Sequence, residues 1–373
     1  MSTDEYLLGR DDVDDIEAIL SVVNRDVDSL MHAVKDNADA IFTWDYEKGR
    51  RPALNKLYEK AKVSQWNGET DLDWSIKVDP LEIAQLQRAM NPSDPALRIG
   101  TPFEKWTDRE LDQMAIESNN WMLSQFMHGE QGALVCTAKI VETVPWIDAK
   151  YYAATQVMDE ARHVEVFAKY IDEKLNGHYP LNAHLGLLLD DIINDSRWDM
   201  TYLGMQIMVE GLALAAFGFM HQTTPDPLLK QLLRYVMSDE ARHVAFGVLS
   251  LKEFYAELSQ DEIRERQEFA YEAAVRMRDR LLMQEVLDRM DIDVKAAVKL
   301  AMEDEDRKVF QTMLFAKIVP NCKKLGLLDA GDGWLRQKFT ELGCIGFEDF
   351  ADTAEEVDAF ALAEGDTKMG VTG

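Results

Sequence analysis

The hexapeptide DEARHV occupies residues 159–164 and recurs unchanged at residues 239–244. The copies are 80 positions apart, and the same offset carries Glu130 onto Glu210, Ala133 onto Ala213, Leu134 onto Leu214, Thr143 onto Thr223 and Pro145 onto Pro225. A fixed offset over that many positions marks an internal repeat. In each copy a lone acid precedes the DEARHV glutamate by 30 residues, with a proline midway. Proline stops a helix, so each copy predicts two antiparallel helices joined near residue 145 or 225. Glu130 and Glu160 each lie 15 residues from Pro145, about 22 Å along a helix at roughly 1.5 Å per residue, which puts them at one level. Glu210 and Glu240 stand in the same relation to Pro225. Stacking the two hairpins yields an all-α four-helix bundle with four carboxylates at its centre.

His163 follows Glu160 by three residues and His243 follows Glu240 by three, so each imidazole shares a helix face with its carboxylate. Four carboxylates alone in an apolar interior would repel and take up protons; two divalent cations would neutralise them and accept the two neutral imidazoles. One Glu from each of two helices, with Glu-x-x-His from each of the other two, is the di-iron or di-manganese carboxylate pattern of ferritin-like bundles.

Composition narrows the rest. The 373 residues carry 40 Lys and Arg against 68 Asp and Glu, a net charge of −28, which repels phosphate backbones and anionic lipid and argues against nucleic acid as a partner. Cys136, Cys322 and Cys344 are an odd count with no short spacing; they indicate neither a disulfide framework nor a thiolate site and suit a reducing cytoplasm. The start MSTDEYLLGRDDVDD has no basic and apolar leader pattern. The most apolar run, IMVEGLALAAFGFM at 207–220, is too short to span a bilayer, so no membrane association is expected. It reads instead as a buried helix that carries Glu210 into the interior.

Along the chain, helices are expected over about residues 12–36, 52–62, 81–90, 107–142, 146–174, 182–221, 228–258, 259–290 and 294–316. TDRE at 107–110 and SQDE at 259–262 are capping-box patterns that open two of them. Without a Gly/Ser-rich linker or low-complexity tract, one domain is expected. Its parts are an N-terminal helical extension at 1–105, a di-metal four-helix core at 106–258, and C-terminal helices and a frayed tail at 259–373.

The chain resembles the ferritin-like di-iron carboxylate superfamily, in its ribonucleotide-reductase-small-subunit-like branch of oxygenases and oxidases. The resemblance covers about residues 107–258. HGEQGAL at 128–134, DEARH at 159–163, VEGLAL at 209–214 and DEARH at 239–243 carry it. It implies that Glu130, Glu160 and His163 hold one metal and Glu210, Glu240 and His243 the other, the four glutamates forming the catalytic set with Glu160 and Glu240 as bridges. Asp159 and Asp239 match acids that receive the free ring N–H of the metal-ligating His on the opposite hairpin. Arg162 and Arg242 would pair with those acids or, alternatively, form surface salt bridges.

The implied cofactor is two iron ions, with manganese–iron or manganese as variants, and O2 as co-substrate. The implied function is an O2-dependent di-iron oxidase or oxygenase that hydroxylates, N-oxygenates or desaturates an apolar or aromatic small molecule. Alternatives are a reductase-like small subunit or a ferroxidase. With no flavin, nicotinamide or iron–sulfur motif in the chain, electrons would come from a separate ferredoxin or reductase; relatives are commonly dimers, and a homodimer is expected.

Several family markers are absent. Phe167 stands where the reductase subunits carry a radical Tyr, Leu214 and Ala213 where hydroxylases and desaturases carry a Thr, and Val236 where N-oxygenases carry an additional His. His128, two residues from Glu130 and about 200° round the helix, should face away. Cys136 reads as a small core residue and Tyr170 as a packed one. Phe126, Leu134, Phe167, Leu214, Phe217 and Phe246 flank the ligands and either wall a pocket or simply pack the core.

Overall fold

A computed structural model describes residues 7–24, 31–44, 46–92 and 94–354. Helix is the only regular secondary structure among the described residues, with no strand among them. α1 spans Ile16–Ser21, α2 Pro52–Val63 and α3 Pro80–Met90. The bundle follows: α4 Asp108–Thr143, α5 Ile147–Lys174, α6 Ala183–Asn194, α7 Trp198–Thr223 and α8 Pro227–Tyr255. α9 Gln260–Arg280, α10 Gln284–Arg289, α11 Val294–Glu303, α12 Glu305–Met313, α13 Ile318–Lys324 and α14 Trp334–Glu341 follow among the described residues.

The two hairpins form as the prolines require. α4 opens on a capping box between Thr107 and Glu110 and ends at Thr143, just before Pro145; α5 returns along it. α7 and α8 repeat the pattern around Pro225, with the Asp226 side chain accepting from Leu228 and Leu229 N–H to start α8. The hairpins bury one continuous core. α2 lies across α5 and α8, while α9 covers α6 and the first half of α7. α7 is long and apolar enough in composition to cross a membrane, but 78% of its most apolar window is buried inside the protein. Its hydropathy is that of a central core helix.

Four expected spans are corrected. The helix expected over residues 12–36 is only α1; residues 31–40 run without helix, and residues 25–30 lie outside the described set. Polar side chains tie this stretch to neighbouring backbone instead: Asn24 donates to Leu181 O, Asn37 to Asn194 O and Asn194 to Lys35 O. Such bonds compete with the helix ladder. The helix expected over 182–221 is two, broken at Asp195. There the Asp195 carboxylate accepts the Arg197 N–H, and buried Lys139 from α4 donates to the carbonyls of Ile193 and Asp195.

The helix expected to run to residue 290 stops at Arg280, and Met283 turns the chain with a left-handed φ of 52°. The span 294–316 divides at Asp304 into α11, α12 and a short 3-10 turn. The tail beyond residue 354, GDTKMGVTG included, lies outside the described residues.

Candidate metal centre

Glu130 comes from α4, Glu160 and His163 from α5, Glu210 from α7, and Glu240 and His243 from α8; all six are at most 5% exposed. One oxygen or nitrogen from each of Glu130, Glu160, His163 and Glu240 lies within 4.8 Å of the others, and the same holds for Glu160, Glu210 and His243. Glu160 belongs to both groups. The His163 Nδ1 is 3.3 Å from Glu130, 3.4 Å from Glu160 and 3.1 Å from Glu240. The His243 Nδ1 is 3.1 Å from Glu160 and 3.5 Å from Glu240.

The local fold of α7 sets Glu210 in place. Leu203–Val209 form a π-helical stretch, a widened turn that ends one residue before Glu210. α4, the corresponding helix of the first repeat, is regular throughout its 36 residues. Wide turns of this kind recur at functional sites, where they re-aim the residues that follow. Small residues let neighbours approach the widened turn. A Cβ on Gly247 would fall 2.7 Å from the Gln206 Cβ, and one on Gly204 would fall 2.5 Å from Ile192.

The imidazoles are held from the far side. His163 Nε2 donates to Asp239 at 3.1 Å and His243 Nε2 to Asp159 at 3.3 Å. A carboxylate accepts only, so the hydrogen resides on Nε2 and each Nδ1 is turned toward the glutamates. Each acid thus belongs to one hairpin and each imidazole to the other. Arg162 donates to Asp159 at 2.5 Å and to Asp239 at 3.0 Å, while Arg242 bonds Asp239 and lies 3.8 Å from Asp159. Both guanidiniums are buried, at 6% and 1% exposure, so a surface salt bridge does not describe them.

Protons and cations compete for this set. Burial first, and the neighbouring Glu240 next, push the Glu130 carboxyl well above its usual range; burial, followed by Glu160 and Glu240, does the same for Glu210. Burial opposes charge on Glu160 too, but His243 and His163 outweigh it and hold that carboxyl low. Burial likewise opposes charge on both imidazoles and is outweighed, by Glu130 and Asp239 for His163 and by Glu160 and Glu240 for His243. Meanwhile one oxygen each of Glu160 and Glu210, both of Glu240, and the His243 Nδ1 are buried with no hydrogen-bond partner. Buried acceptors facing acceptors are what a dinuclear cation site requires and what hydrogen bonding alone leaves costly. The donor set of four carboxylates and two imidazoles suits iron or manganese.

Residues that the repeat does not duplicate complete the surroundings, and sequence patterns gave no sign of them. Gln156, one turn before Glu160, donates to Glu160 at 2.9 Å and Glu210 at 3.0 Å. Trp66 donates its indole N–H to Asp239 at 2.7 Å, and the Arg162 guanidinium carbon lies over its ring, 4.6 Å from the ring centroid. Gln65 donates to Asp159 and accepts from Arg162. Arg280 of α9 shares a small cavity with Glu130, Glu210 and Glu240.

Three further histidines, Cys136 and Tyr170 lie elsewhere. His128 bonds Gln131 and the Tyr179 carbonyl. His184 bonds the Ile19 carbonyl and His32 pairs with Asp190. Cys136 is fully buried, and Tyr170 donates to Asp226. Of the six apolar residues flanking the ligands, Phe126 lines the cavity. It packs against Phe167 and Phe217, while Phe246 packs against Tyr152 and Tyr202.

A helical bundle of two hairpins around buried carboxylates and imidazoles defines the chain as a ferritin-like di-iron carboxylate protein of the reductase-small-subunit-like branch. More narrowly, it belongs to the family described as p-aminobenzoate N-oxygenase AurF, whose model matches residues 134–326, a little over half of the chain. That stretch contains five of the six converging residues and begins just after Glu130. No curated protein matches the chain.

Among solved structures, it is similar to an R2-like ligand-binding oxidase with aerobically reconstituted metal cofactor after photoconversion. Identity there is 19% over 76% of this chain and 95% of that one, with a TM-score of 0.49. A mutant of an R2-like ligand-binding oxidase with anaerobically reconstituted Mn/Fe cofactor is 20% identical over the same shares, with a TM-score of 0.44. The chain is an oxidoreductase, a di-iron oxidase or oxygenase that uses O2 and acts on a small molecule.

Proposed function

We propose that Glu130, Glu160, His163, Glu210, Glu240 and His243 hold two iron ions, or a manganese and an iron, with Glu160 and Glu240 as bridges. The convergence of buried, unpartnered donor atoms from both repeats supports this reading. Asp159 and Asp239 fix the imidazoles, Arg162 and Arg242 neutralise those acids, and Gln156 steadies two of the carboxylates. Such polar partners around the ligands tune metal affinity as strongly as many ligands do.

The reaction supported best is oxygenation of an apolar or aromatic small molecule, with N-oxygenation of an aromatic amine favoured by the family's description. The bound metals supply reductive activation of O2. One oxygen atom goes to the substrate and the other leaves as water, consuming two electrons and two protons from an external donor, a ferredoxin or a reductase. The buried bundle excludes water from the reacting atoms.

We take the helices before and after the core as parts of one domain that roof this centre, and the active form as a homodimer. Three buried free thiols favour a reducing cytoplasm.

Anaerobic Fe(II) loading followed by O2 and an aromatic amine tests the proposal. It expects about two irons per chain and, in a single turnover whose two electrons come from the loaded Fe(II), a hydroxylamine product. A stable Tyr radical would favour a reductase role, uptake far beyond two irons a storage role, and no stoichiometric metal would remove the enzymatic reading altogether.

A further inference from the structure

On one side of the metal-binding residues the bundle interior is polar. Thr137 lies seven residues after Glu130 on α4, and Gln156 and Tyr152 lie four and eight before Glu160 on α5. Gln206 and Tyr202 stand four and eight before Glu210 on α7, and Ser250 seven after His243 on α8. Spacings of four and seven keep one helix face, so all four helices carry polar groups along the face of their ligands. These groups also share one end of the bundle. Residues 137, 152 and 156 are on the Pro145 side of the glutamates. The start of α7 and the end of α8 reach the same end, since Trp198 packs against Trp146 at 5.1 Å and against Phe254 at 4.7 Å.

None of the six is more than 1% exposed. Yet the hydroxyls of Thr137, Tyr152, Tyr202 and Ser250, the Gln156 Oε1 and both amide atoms of Gln206 have no hydrogen-bond partner among the described residues. Gln156 shows which way the row runs: its Nε2 is committed to Glu160 and Glu210, which leaves its Oε1 for the side away from them. The Tyr152 and Tyr202 rings both pack on Phe246, with centroids 4.4 and 5.0 Å from it. Burial raises the Tyr202 hydroxyl well above its ordinary pKa, and the adjacent Ser250 hydroxyl pulls it back. Farther out, the Tyr255 hydroxyl is likewise buried without a partner, and Asp199 lies near it. Asp199 bonds Arg266 at 2.9 Å, and Arg266 reaches the exposed Glu265 at 3.1 Å. Toward the opposite end of the bundle, Gln125 is satisfied by the Pro180 carbonyl and the Asn182 N–H.

We propose that this row of side chains holds a file of bound water that carries protons from the Asp199 end of the bundle to the space between Glu160 and Glu210. This rests on the di-iron reading above, whose reaction consumes two protons for the oxygen atom that leaves as water. Buried polar atoms in folded proteins are paired, by water where no protein group serves. Hydroxyls and water both donate and accept, so each oxygen hands on one proton as it receives another, and none gains or loses a proton overall. The two amides do not relay in this way; they fix water at the inner end of the file.

The test joins crystallography to kinetics. Fe(II)-loaded protein crystallised without O2 should show ordered water at Gln156 Oε1, at the Gln206 amide and at the Tyr202 hydroxyl. Tyr202→Phe and Ser250→Ala, neither of them among the metal-binding residues, should load two irons, melt lower than the unsubstituted protein because bound water loses a partner, and lose part of that density. Oxidation of the loaded Fe(II) by O2, followed by absorbance, should slow about tenfold or more in each. It should also acquire a larger solvent deuterium isotope effect, which a purely structural loss would not produce. Dry density at these atoms, with Tyr202→Phe melting no lower as expected for loss of an unpaired hydroxyl, overturns the inference and leaves the di-iron reading standing. Ordered water with unchanged rate and isotope effect in both variants overturns it too. Failure of the unsubstituted protein to load iron removes the di-iron reading, and the proton route with it.

Discussion

Asp239 receives more donors than any other side chain near the metals: the His163 ring, Trp66, Arg162 and Arg242. Replacing it with Asn keeps an acceptor but removes the charge that holds the imidazole oriented and basic. Asp239→Asn is expected to weaken Fe(II) binding about 10- to 100-fold, measured by competition with a chelator of known affinity; unchanged affinity would place the acid outside the site. Glu160→Ala and Glu240→Ala remove the proposed bridges, and iron content per chain should fall below two in each; two tightly held ions in both variants would refute the assignment.

Protons shifted onto Glu130, Glu210, His163 and His243 in the metal-free protein must leave when cations enter, so loading should release protons and strengthen as pH rises. An indicator dye in weak buffer reads this directly. The glutamates and histidines were legible because their spacing repeats. Trp66, Gln65 and Arg280 were not, because each reaches the centre from outside the repeat and only tertiary packing brings it near; Gln156 sits on α5 one turn before Glu160, but its counterpart in the second copy is Val236, so the repeat did not single it out.

At the level of the element, the π stretch of α7 is the part of the site most exposed to a small change. Gly247→Ala would press a methyl against the Gln206 Cβ. Overpacking of this kind costs about 1–3 kcal/mol, and here the displaced segment leads straight into Glu210. The variant is expected to melt lower and to lose metal preferentially from the Glu210 and His243 side, seen as roughly one iron per chain; full loading with an unchanged melting temperature would mean the π turn yields freely.

Sequence periodicity could not reveal this turn, since residues 203–209 are apolar apart from Gln206 and carry no face to lose register. It also passed over the break at Asp195. That break depends on Lys139, more than fifty residues away, capping carbonyls that a continuous helix would have used itself. The hairpins, by contrast, were readable because proline and capping boxes act within a few residues.

Over the whole molecule, the start of the N-terminal stretch is pinned to the rest of the protein by buried contacts: Arg10 to Asp279 and His184 to the Ile19 carbonyl. Asp279→Ala strands Arg10 as a buried cation and should cost about 3–5 kcal/mol, read as a lower melting temperature and earlier proteolysis before residue 20. Burial lowers the His184 imidazole below its usual value. The unfolded chain then binds the extra proton, and stability contributed by this contact is lost as pH falls through about 6.5, the ordinary imidazole value. A melting curve of His184→Gln that shows the same acid-side slope as the parent would contradict this.

The exchange of partners between hairpins, in which the aspartate of one orients the histidine of the other, has a consequence for ancestry. A chain of one hairpin owns two carboxylates, an imidazole and an aspartate aimed at an imidazole it lacks. Two copies related by a twofold axis would supply these missing groups to each other, so fusing such copies end to end conserves the aspartate–histidine pairs across the hairpins and merely makes the association permanent.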